Sequence, residues 1–257
     1  MDFTLSKYHE LIQAFLDSGY TILTFEEYCT LSIMPDKYVV LRHDIDKQPK
    51  QALRVAQLEH EMGVHATYYF RIVKPSFVPD IIRAVSALGM EIGYHYEDMS
   101  LCKGDAVAAK KHFEESLATL RSLVPIRTVC MHGAPMCHID NKSLWQYADY
   151  HDYGIIGEPY LETDFALVFY LTDTGRRWDG SRYSFVDKVP MQQARWERNG
   201  WFYHTTDDIL KALHEGSFPN QVLITTHPQR WHNEPLAFLY EYLRQNIVNV
   251  VKHILFH

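Results

Sequence analysis

The sequence lacks the segments that would place it in a membrane or mark it for export. No apolar run approaches the roughly 20 residues that a membrane-spanning helix needs. The N-terminal stretch MDFTLSKYHE has no basic segment followed by an apolar one, as a secretion signal would. The four cysteines are scattered and form no C-x-x-C pair, which excludes the common redox and zinc motifs built on that spacing. These absences predict a cytoplasmic protein with reduced cysteines and no membrane span.

Basic stretches, linkers, low-complexity segments and repeats are also missing. Because nothing basic offsets the formal net charge of −7, we expect no nucleic-acid partner. Hydrophobic residues make up 47% of the 257-residue chain, which is enough for a sizeable core. We therefore predict a single domain over residues 1–257. The sequence has no coiled coil or obvious interface helix, so the oligomeric state stays open.

Strand and helix patterns alternate along most of the chain. The predicted strands are YVVLR at 38–42 and the segments 66–72, 90–95, 127–132 and 221–227. The predicted helices are 49–62, 79–88, 105–123, 206–214 and 234–252. Repeated β-α units of this kind predict an α/β fold with a largely parallel sheet. Helical spacing over 6–19 makes residues 1–35 an N-terminal helical extension.

Acidic and imidazole side chains come where several of these strands end. RHDID occupies 42–46, EIGYHYED occupies 91–98, His132 closes another strand, and ITTHP occupies 224–228. Active sites of parallel α/β folds lie at the carboxyl ends of the strands, so we expect these groups to converge on one rim.

Asp44 and Asp46 are two residues apart, and strand alternation therefore puts both carboxylates on one side. Close carboxylates repel each other, which raises one pKa unless a cation lies between them. A divalent metal bound by imidazole and carboxylate would remove that repulsion. The second carboxylate could then act as a base toward metal-bound water.

The motifs RHDID, EIGYHYED and ITTHP, in this order and spacing, resemble those of the polysaccharide deacetylases, the NodB-homology or carbohydrate esterase family 4 proteins. The resemblance runs from about Tyr38 to Arg230. It implies a distorted (β/α) barrel and the metal-dependent removal of acetyl groups from N-acetylated sugars. Relatives with RHDID also suggest surface-polysaccharide metabolism.

Residue roles follow from the same resemblance. Asp44 matches the catalytic base and His227 the general acid, whereas Asp46 and His95 match metal ligands. The family's second metal histidine, four residues after the first, is Met99 here. A thioether is a poor zinc ligand in a nitrogen and oxygen site.

Another group must therefore complete the metal site, or the site binds metal weakly or has lost it. His132, from a neighbouring strand end, is the first candidate for the missing ligand, followed by Glu97 and Asp98. Zinc is the expected metal.

Two arginine–tryptophan pairs bear on the substrate. Arg176 and Trp178 follow the segment ALVFYL, and Arg230 and Trp231 lie beside His227. Arginine offers a planar fork to an anion and tryptophan a face to a sugar ring, so we expect an anionic sugar ligand. Arg42 is a further substrate-binding candidate, and it is also placed to hold Asp44 ionised or to orient it.

Three hypotheses remain. The first is a metal-dependent hydrolase of a non-peptide carbon–nitrogen amide bond that deacetylates a sugar. The second is a catalytically inactive carbohydrate-binding barrel, and Met99 is its main support. The third takes D-x-D as the motif of a phosphatase or a glycosyltransferase. It fits less well because Gln48 stands where those phosphatases have threonine or valine, and because a glycosyltransferase would leave His95 and His227 without roles.

Overall fold

The computed structural model describes residues 1–133, 139–178, 189–234 and 239–243. Helices α1 to α9 are Leu5–Asp17, Phe25–Thr30, Pro49–Glu61, Pro79–Ala87, Asp98–Leu101, Ala106–Arg121, Pro159–Glu162, Pro190–Arg198 and Thr206–His214. Strands β1 to β7 are Thr21–Leu23, Tyr38–Ile45, Thr67–Phe70, Glu91–Tyr96, Val129–Met131, Phe169–Thr172 and Gln221–Thr226. Short 3-10 helices occupy Asn141–Gln146, Tyr150–Tyr153 and Pro228–Arg230. Most of the helix predicted at 234–252 lies outside the described residues.

The chain divides into two compact units. One consists of residues 1–22, 34–40 and 164–257, and we call it the 164–257 unit. The other consists of residues 23–33 and 41–163, and we call it the 41–163 unit. The single domain expected from the sequence stays a prediction.

The 41–163 unit is built on parallel strands in the order β5-β4-β3-β2. Asp44 of β2 lies opposite Tyr69 of β3, which in turn lies opposite Gly93 of β4. Nearly every residue of these strands is buried, as expected for a parallel sheet covered on both faces. The predicted α/β fold with a largely parallel sheet is confirmed.

Strand β2 is longer than predicted. The pattern YVVLR ends at Arg42, but the strand continues through His43 and Asp44 to Ile45. Buried partners make this possible, since a polar group inside a protein must be hydrogen-bonded. The His43 ring lies 2.8 Å from Glu59 Oε1, and the Tyr68 hydroxyl donates a hydrogen bond to the other carboxylate oxygen, Glu59 Oε2.

Gly93 explains how the neighbouring strand carries its aromatic side chains. A Cβ atom at this position would lie 2.3 Å from two ring carbons of Tyr69. Glycine therefore lets the Tyr69 ring lie across β4, where its centroid is 6.5 Å from that of His95. The Tyr69 ring of β3 and the His95 ring of β4 therefore lie near each other toward the carboxyl ends of the two strands.

In the 164–257 unit, β6 pairs in parallel with β7, and β7 adjoins the first residues of β2. The Tyr38 amide donates to the Asn220 carbonyl at 2.8 Å. Helix α1 packs against α9, and Thr4 and Thr205 cap the two helices through their hydroxyl oxygens. The carboxyl end of β7 leads directly to His227.

Candidate metal-binding site

Four side chains of the 41–163 unit stand directly after four neighbouring strands. Each follows the last residue of β2, β3, β4 or β5, and in that order they are Asp46, Arg71, Glu97 and His132. His95 is the last residue but one of β4. Because parallel strands end at one edge of the sheet, these five residues gather at that edge.

Asp46, His95 and His132 offer one ligand atom each, and all three atoms lie within 4.8 Å of one another. The Asp46 Oδ1 atom is 3.7 Å from His95 Nε2 and 3.5 Å from His132 Nε2. Ligands bound about 2.1 Å from a tetrahedral zinc ion lie roughly 3.4 Å apart, so these spacings fit a shared ion. This is the set expected from the sequence, and metal binding by it stays a prediction.

Hydrogen bonds determine which ring nitrogen of His95 and of His132 faces the space between the three candidate ligand atoms. His95 Nδ1 lies 3.0 Å from the Cys130 carbonyl oxygen, which can only accept, so the proton is assigned to Nδ1. His132 Nδ1 lies 2.9 Å from Glu97 Oε2, which leads to the same assignment. Both Nε2 atoms therefore present a lone pair, as in metal sites whose histidines donate their other N–H to an outer acceptor.

Glu97 is held as a carboxylate. Burial by itself raises the pKa of its side chain, but the hydrogen bond from His132 and the charge of Arg71 lower it to about 2. Arg71 donates from Nε and Nη2 to Glu97 Oε1 at 2.9 and 2.6 Å, and from Nη1 to the Asp46 carbonyl at 3.4 Å. Arg71 thus links the residues that follow β2 and β4.

His95 is neutral at physiological pH. Burial lowers its pKa to about 4, although the nearby Asp44 and Asp46 carboxylates act in the opposite direction. A metal-ligating imidazole must carry a free lone pair, so this shift suits a ligand.

Asp44 lies beside the three ligand atoms. Its Oδ2 atom is 3.9 Å from His95 Nε2 and 3.4 Å from Arg42 Nη2. Its Oδ1 atom is buried and has no hydrogen-bond partner among the described residues. Since a buried carboxylate oxygen without a partner is costly, its position suits contact with a water molecule or a cation.

Arg42 is fully buried. Besides Asp44, its guanidinium contacts the Cys130 Sγ atom and the Tyr160 hydroxyl, the latter at 3.2 Å. Burial favours the role of Arg42 as a partner that orients Asp44, also expected from the sequence, over contact with a substrate. Asp44, His95 and Cys130 also form a possible ligand set, but the Arg42 cation already lies against Asp44 and Cys130.

The alternative ligands Glu97 and Asp98 have other partners. Glu97 binds His132 and Arg71, as described above. Asp98 receives hydrogen bonds from the Tyr94 hydroxyl at 3.0 Å and from the His112 ring at 2.5 Å. His132 is therefore the group that joins Asp46 and His95 in the three-residue set.

In the 164–257 unit, His227 is anchored by a buried carboxylate. Its Nδ1 atom lies 2.7 Å from Asp173 Oδ1, and Asp173 also accepts from Arg230 at 2.5 Å and from the Trp231 indole at 2.8 Å. Burial raises the pKa of Asp173, but the charges of Arg230 and His227 outweigh it and lower the pKa to about 2. A permanent carboxylate thus orients the His227 ring.

The tryptophans expected to bind sugar belong to the core of this unit. Trp178 is 3% exposed and Trp231 is fully buried. Both rings pack on Phe3, with centroids at 6.0 and 5.0 Å. Arg176 lies over the same Phe3 ring and donates to the Arg230 carbonyl. Neither indole face is open to a sugar ring in this structure.

Sequence reasoning missed Arg71, Tyr160 and Glu158. The signal for Arg71 was available, because this charged residue follows the apolar strand ATYYF in the same way as Asp46 follows β2. Glu158 gave no signal. It is buried and accepts from the Met131 and Tyr160 amides at 2.9 and 2.6 Å, and burial raises its pKa to about 7. It fixes the end of β5, which leads to His132.

No family model and no curated protein matches this sequence. Solved structures do resemble it, and they belong to the family that the motifs resemble. A carbohydrate esterase family 4 pseudoenzyme from Bacillus anthracis is 12% identical, with a TM-score of 0.45 over 82% of this chain and 60% of its own. The chain thus spans less than two thirds of that protein.

Two further structures have a similar degree of likeness. A family 4 carbohydrate esterase from Streptomyces lividans, in complex with acetate, is 15% identical, with a TM-score of 0.43 over 85% of this chain and 90% of its own. A polysaccharide deacetylase from Bacillus cereus is 14% identical, with a TM-score of 0.42 over 82% of this chain and 87% of its own. At these scores the likeness carries no argument about activity.

Within the described part of the chain, no helix combines the length and apolarity that crossing a membrane requires.

Proposed function

We propose that this protein is a metal-dependent hydrolase that cleaves a carbon–nitrogen amide bond, with an N-acetylated sugar as its substrate. The observation that supports this most directly is the three-residue set of Asp46, His95 and His132, with the Asp44 carboxylate beside it. Two imidazoles and one carboxylate are a common ligand set of catalytic zinc, which keeps a further position open for water or substrate.

When bound, the metal would polarise the amide carbonyl and lower the pKa of a water molecule. Asp44 takes the proton from the attacking water as general base, and Arg42, 3.4 Å from Asp44 Oδ2, orients this carboxylate. The same donor types also hold ferrous iron in oxygenases. An adjacent carboxylate base favours hydrolysis over that chemistry.

Protonation of the departing amine requires an acid, and His227 is our candidate. Its Nδ1 atom lies 2.7 Å from the ionised Asp173, which orients the ring and leaves Nε2 as the atom that presents the proton. This role stays a prediction from the ITTHP motif, as do surface-polysaccharide metabolism and a cytoplasmic location.

The first experiment measures metal content by mass spectrometry in untagged protein purified without chelator. We expect a near-stoichiometric divalent ion in the wild type, its loss in His95→Ala and His132→Ala, and its retention in His214→Ala, which removes an exposed histidine. A wild type that takes up no metal even after zinc is added would contradict the proposal. It would favour instead a carbohydrate-binding protein without catalysis, the alternative that Met99 supports.

The second experiment tests the base. Asp44→Asn should keep the fold and the metal but lower the rate of acetate release from N-acetylated sugars by about 100-fold or more, since general-base catalysis contributes that much. Metal content and circular dichroism of the variant serve as controls. Turnover at the wild-type rate would remove Asp44 from the mechanism.

A further inference from the structure

An open pocket of about 650 Å³ lies in the 41–163 unit, outside the candidate metal site. It is formed by residues within 140–151, which include the 3-10 helix Asn141–Gln146 and the start of the 3-10 helix Tyr150–Tyr153, and by Leu161 of α7. Pockets of this size are typical of small-molecule binding sites.

The side chains around this pocket have the mixture that sugar rings require. Trp145 and Tyr150 provide aromatic surface, Ser143 and Gln146 provide neutral hydrogen-bonding groups, and Ala148 adds an apolar wall. A pyranose ring has apolar C–H faces and a rim of hydroxyls, so aromatic surface next to short polar groups matches it.

Trp145 is held in one orientation before any ligand arrives. Its indole N–H donates to the Tyr96 hydroxyl at 2.8 Å. The rings of Tyr96, Phe113 and Tyr150 meet it edge-on, with centroids 5.0 to 5.4 Å away. The indole remains partly exposed, so it offers a rigid surface whose ordering costs little on binding.

The charges around the pocket narrow the class of ligand. Asp140 and Asp149 contribute two carboxylates, and Lys142 contributes one ammonium, which lies 3.1 Å from Asp140. Asp149 also accepts from the backbone and ring of His151. This balance disfavours an anionic sugar and favours a neutral or amino sugar.

Side-chain contacts connect residues that line the pocket, or lie next to it in sequence, with residues of the candidate metal site. Lys142 lies over the Tyr160 ring at 5.4 Å, and the Tyr160 hydroxyl lies 3.2 Å from Arg42, the partner of Asp44. Asn141, at the start of the same 3-10 helix, donates to the His132 carbonyl at 2.8 Å. One helix thus lines the pocket and supports a candidate metal ligand.

We propose that this pocket is a second carbohydrate subsite, which holds a neutral or amino sugar unit of the same glycan that is deacetylated at the metal site. The proposal rests on the proposed function for the identity of the glycan. It predicts that a chain of several units binds more tightly than a single sugar.

The test compares binding of N-acetylglucosamine and tetra-N-acetylchitotetraose by calorimetry, in the hydrolysis-deficient Asp44→Asn background. We expect the tetramer to bind at least about tenfold more tightly, and Ala148→Trp, which fills the pocket, to remove that advantage. Ala108→Trp, on an exposed face of α6, is the matched control and should retain it. Should Ala148→Trp fail to fold, Gln146→Ala removes one exposed hydrogen-bonding group and should weaken tetramer binding about fivefold.

Two further probes test the ligand class. A glucosamine tetramer should bind through the pocket, and a galacturonate tetramer should not. Equal binding of monomer and tetramer, or a tetramer advantage that survives in both pocket variants, would overturn the proposal. Zinc content and monomer hydrolysis, measured in parallel without the Asp44 substitution, show separately whether the proposed function has failed.

Discussion

The outer hydrogen bond to His132 offers a sharp test of the candidate metal site. Glu97→Gln keeps the size of the side chain but replaces one acceptor oxygen with an NH₂ group. The native carboxylate accepts from His132 at 2.9 Å and from Arg71 at 2.6 Å. A glutamine oxygen that stays with Arg71 turns its NH₂ toward His132 Nδ1. That contact favours the tautomer with the proton on Nε2, which cannot bind a metal.

The size of the effect follows from this loss. Removing an outer partner of a metal-bound histidine typically costs 10- to 100-fold in metal affinity, which corresponds to about 1.4 to 2.8 kcal/mol. We expect the upper part of this range, because Glu97 is ionised and its side chain is only 8% exposed. His95 keeps its own bond to the Cys130 carbonyl, so binding should be weakened rather than abolished.

The assay is zinc competition with a chromophoric chelator, together with urea denaturation of the metal-free protein to check the fold. Glu26→Gln is the control, since it removes a carboxylate from a more exposed ion pair, with Arg127, and touches none of the ligands. An affinity for Glu97→Gln within twofold of the wild type, in a folded protein, would refute the tautomer argument. An equal loss of zinc affinity in Glu26→Gln would show that the effect is not specific to the hydrogen bond between Glu97 and His132.

Two predictions concern stability. Gly93→Ala should destabilise the protein by about 1 to 3 kcal/mol in urea denaturation, because the new methyl group would displace the Tyr69 ring; an unchanged midpoint would contradict this packing. Asp173 has a pKa depressed from 3.8 to about 2, so its contribution is present above pH 3.8 and is lost as the pH falls through 2. Between pH 3.8 and 2, the free energy of unfolding of Asp173→Asn should therefore fall by about 2 kcal/mol less than that of the wild type. Identical acid-unfolding profiles for the two proteins would contradict the lowered pKa of Asp173.

The candidate ligands were predictable because a parallel sheet brings the ends of its strands together. Residues 46, 95 and 132 are far apart in sequence, yet each lies at or next to the end of a strand that apolar runs made recognisable. Once the alternation of strands and helices is read correctly, the shared edge follows from topology. Arg71 could have been found by the same rule.

The roles of Arg42, Trp178 and Trp231 could not be predicted in this way. A motif shows that arginine and tryptophan are adjacent, but exposure depends on partners that are distant in sequence. Phe3 covers both tryptophans from the opposite end of the chain, and Tyr160 meets Arg42 from a segment with no strand pattern. Trp178 and Trp231, which were expected to stack against a sugar ring, are instead buried in a core.

Met99 bears on whether the loss of one family histidine means the loss of a metal site. A histidine at that position would stand on the four-residue helix α5, where Met99 is now buried. His132 instead follows β5, and its amide donates to the Tyr96 carbonyl at 2.7 Å while its own carbonyl accepts from Asn141 at 2.8 Å. Its backbone is thus held on both sides, and a ligand fixed in advance loses little freedom on binding. Two imidazoles and a carboxylate are available in either arrangement, so the methionine by itself is no argument against a metal here.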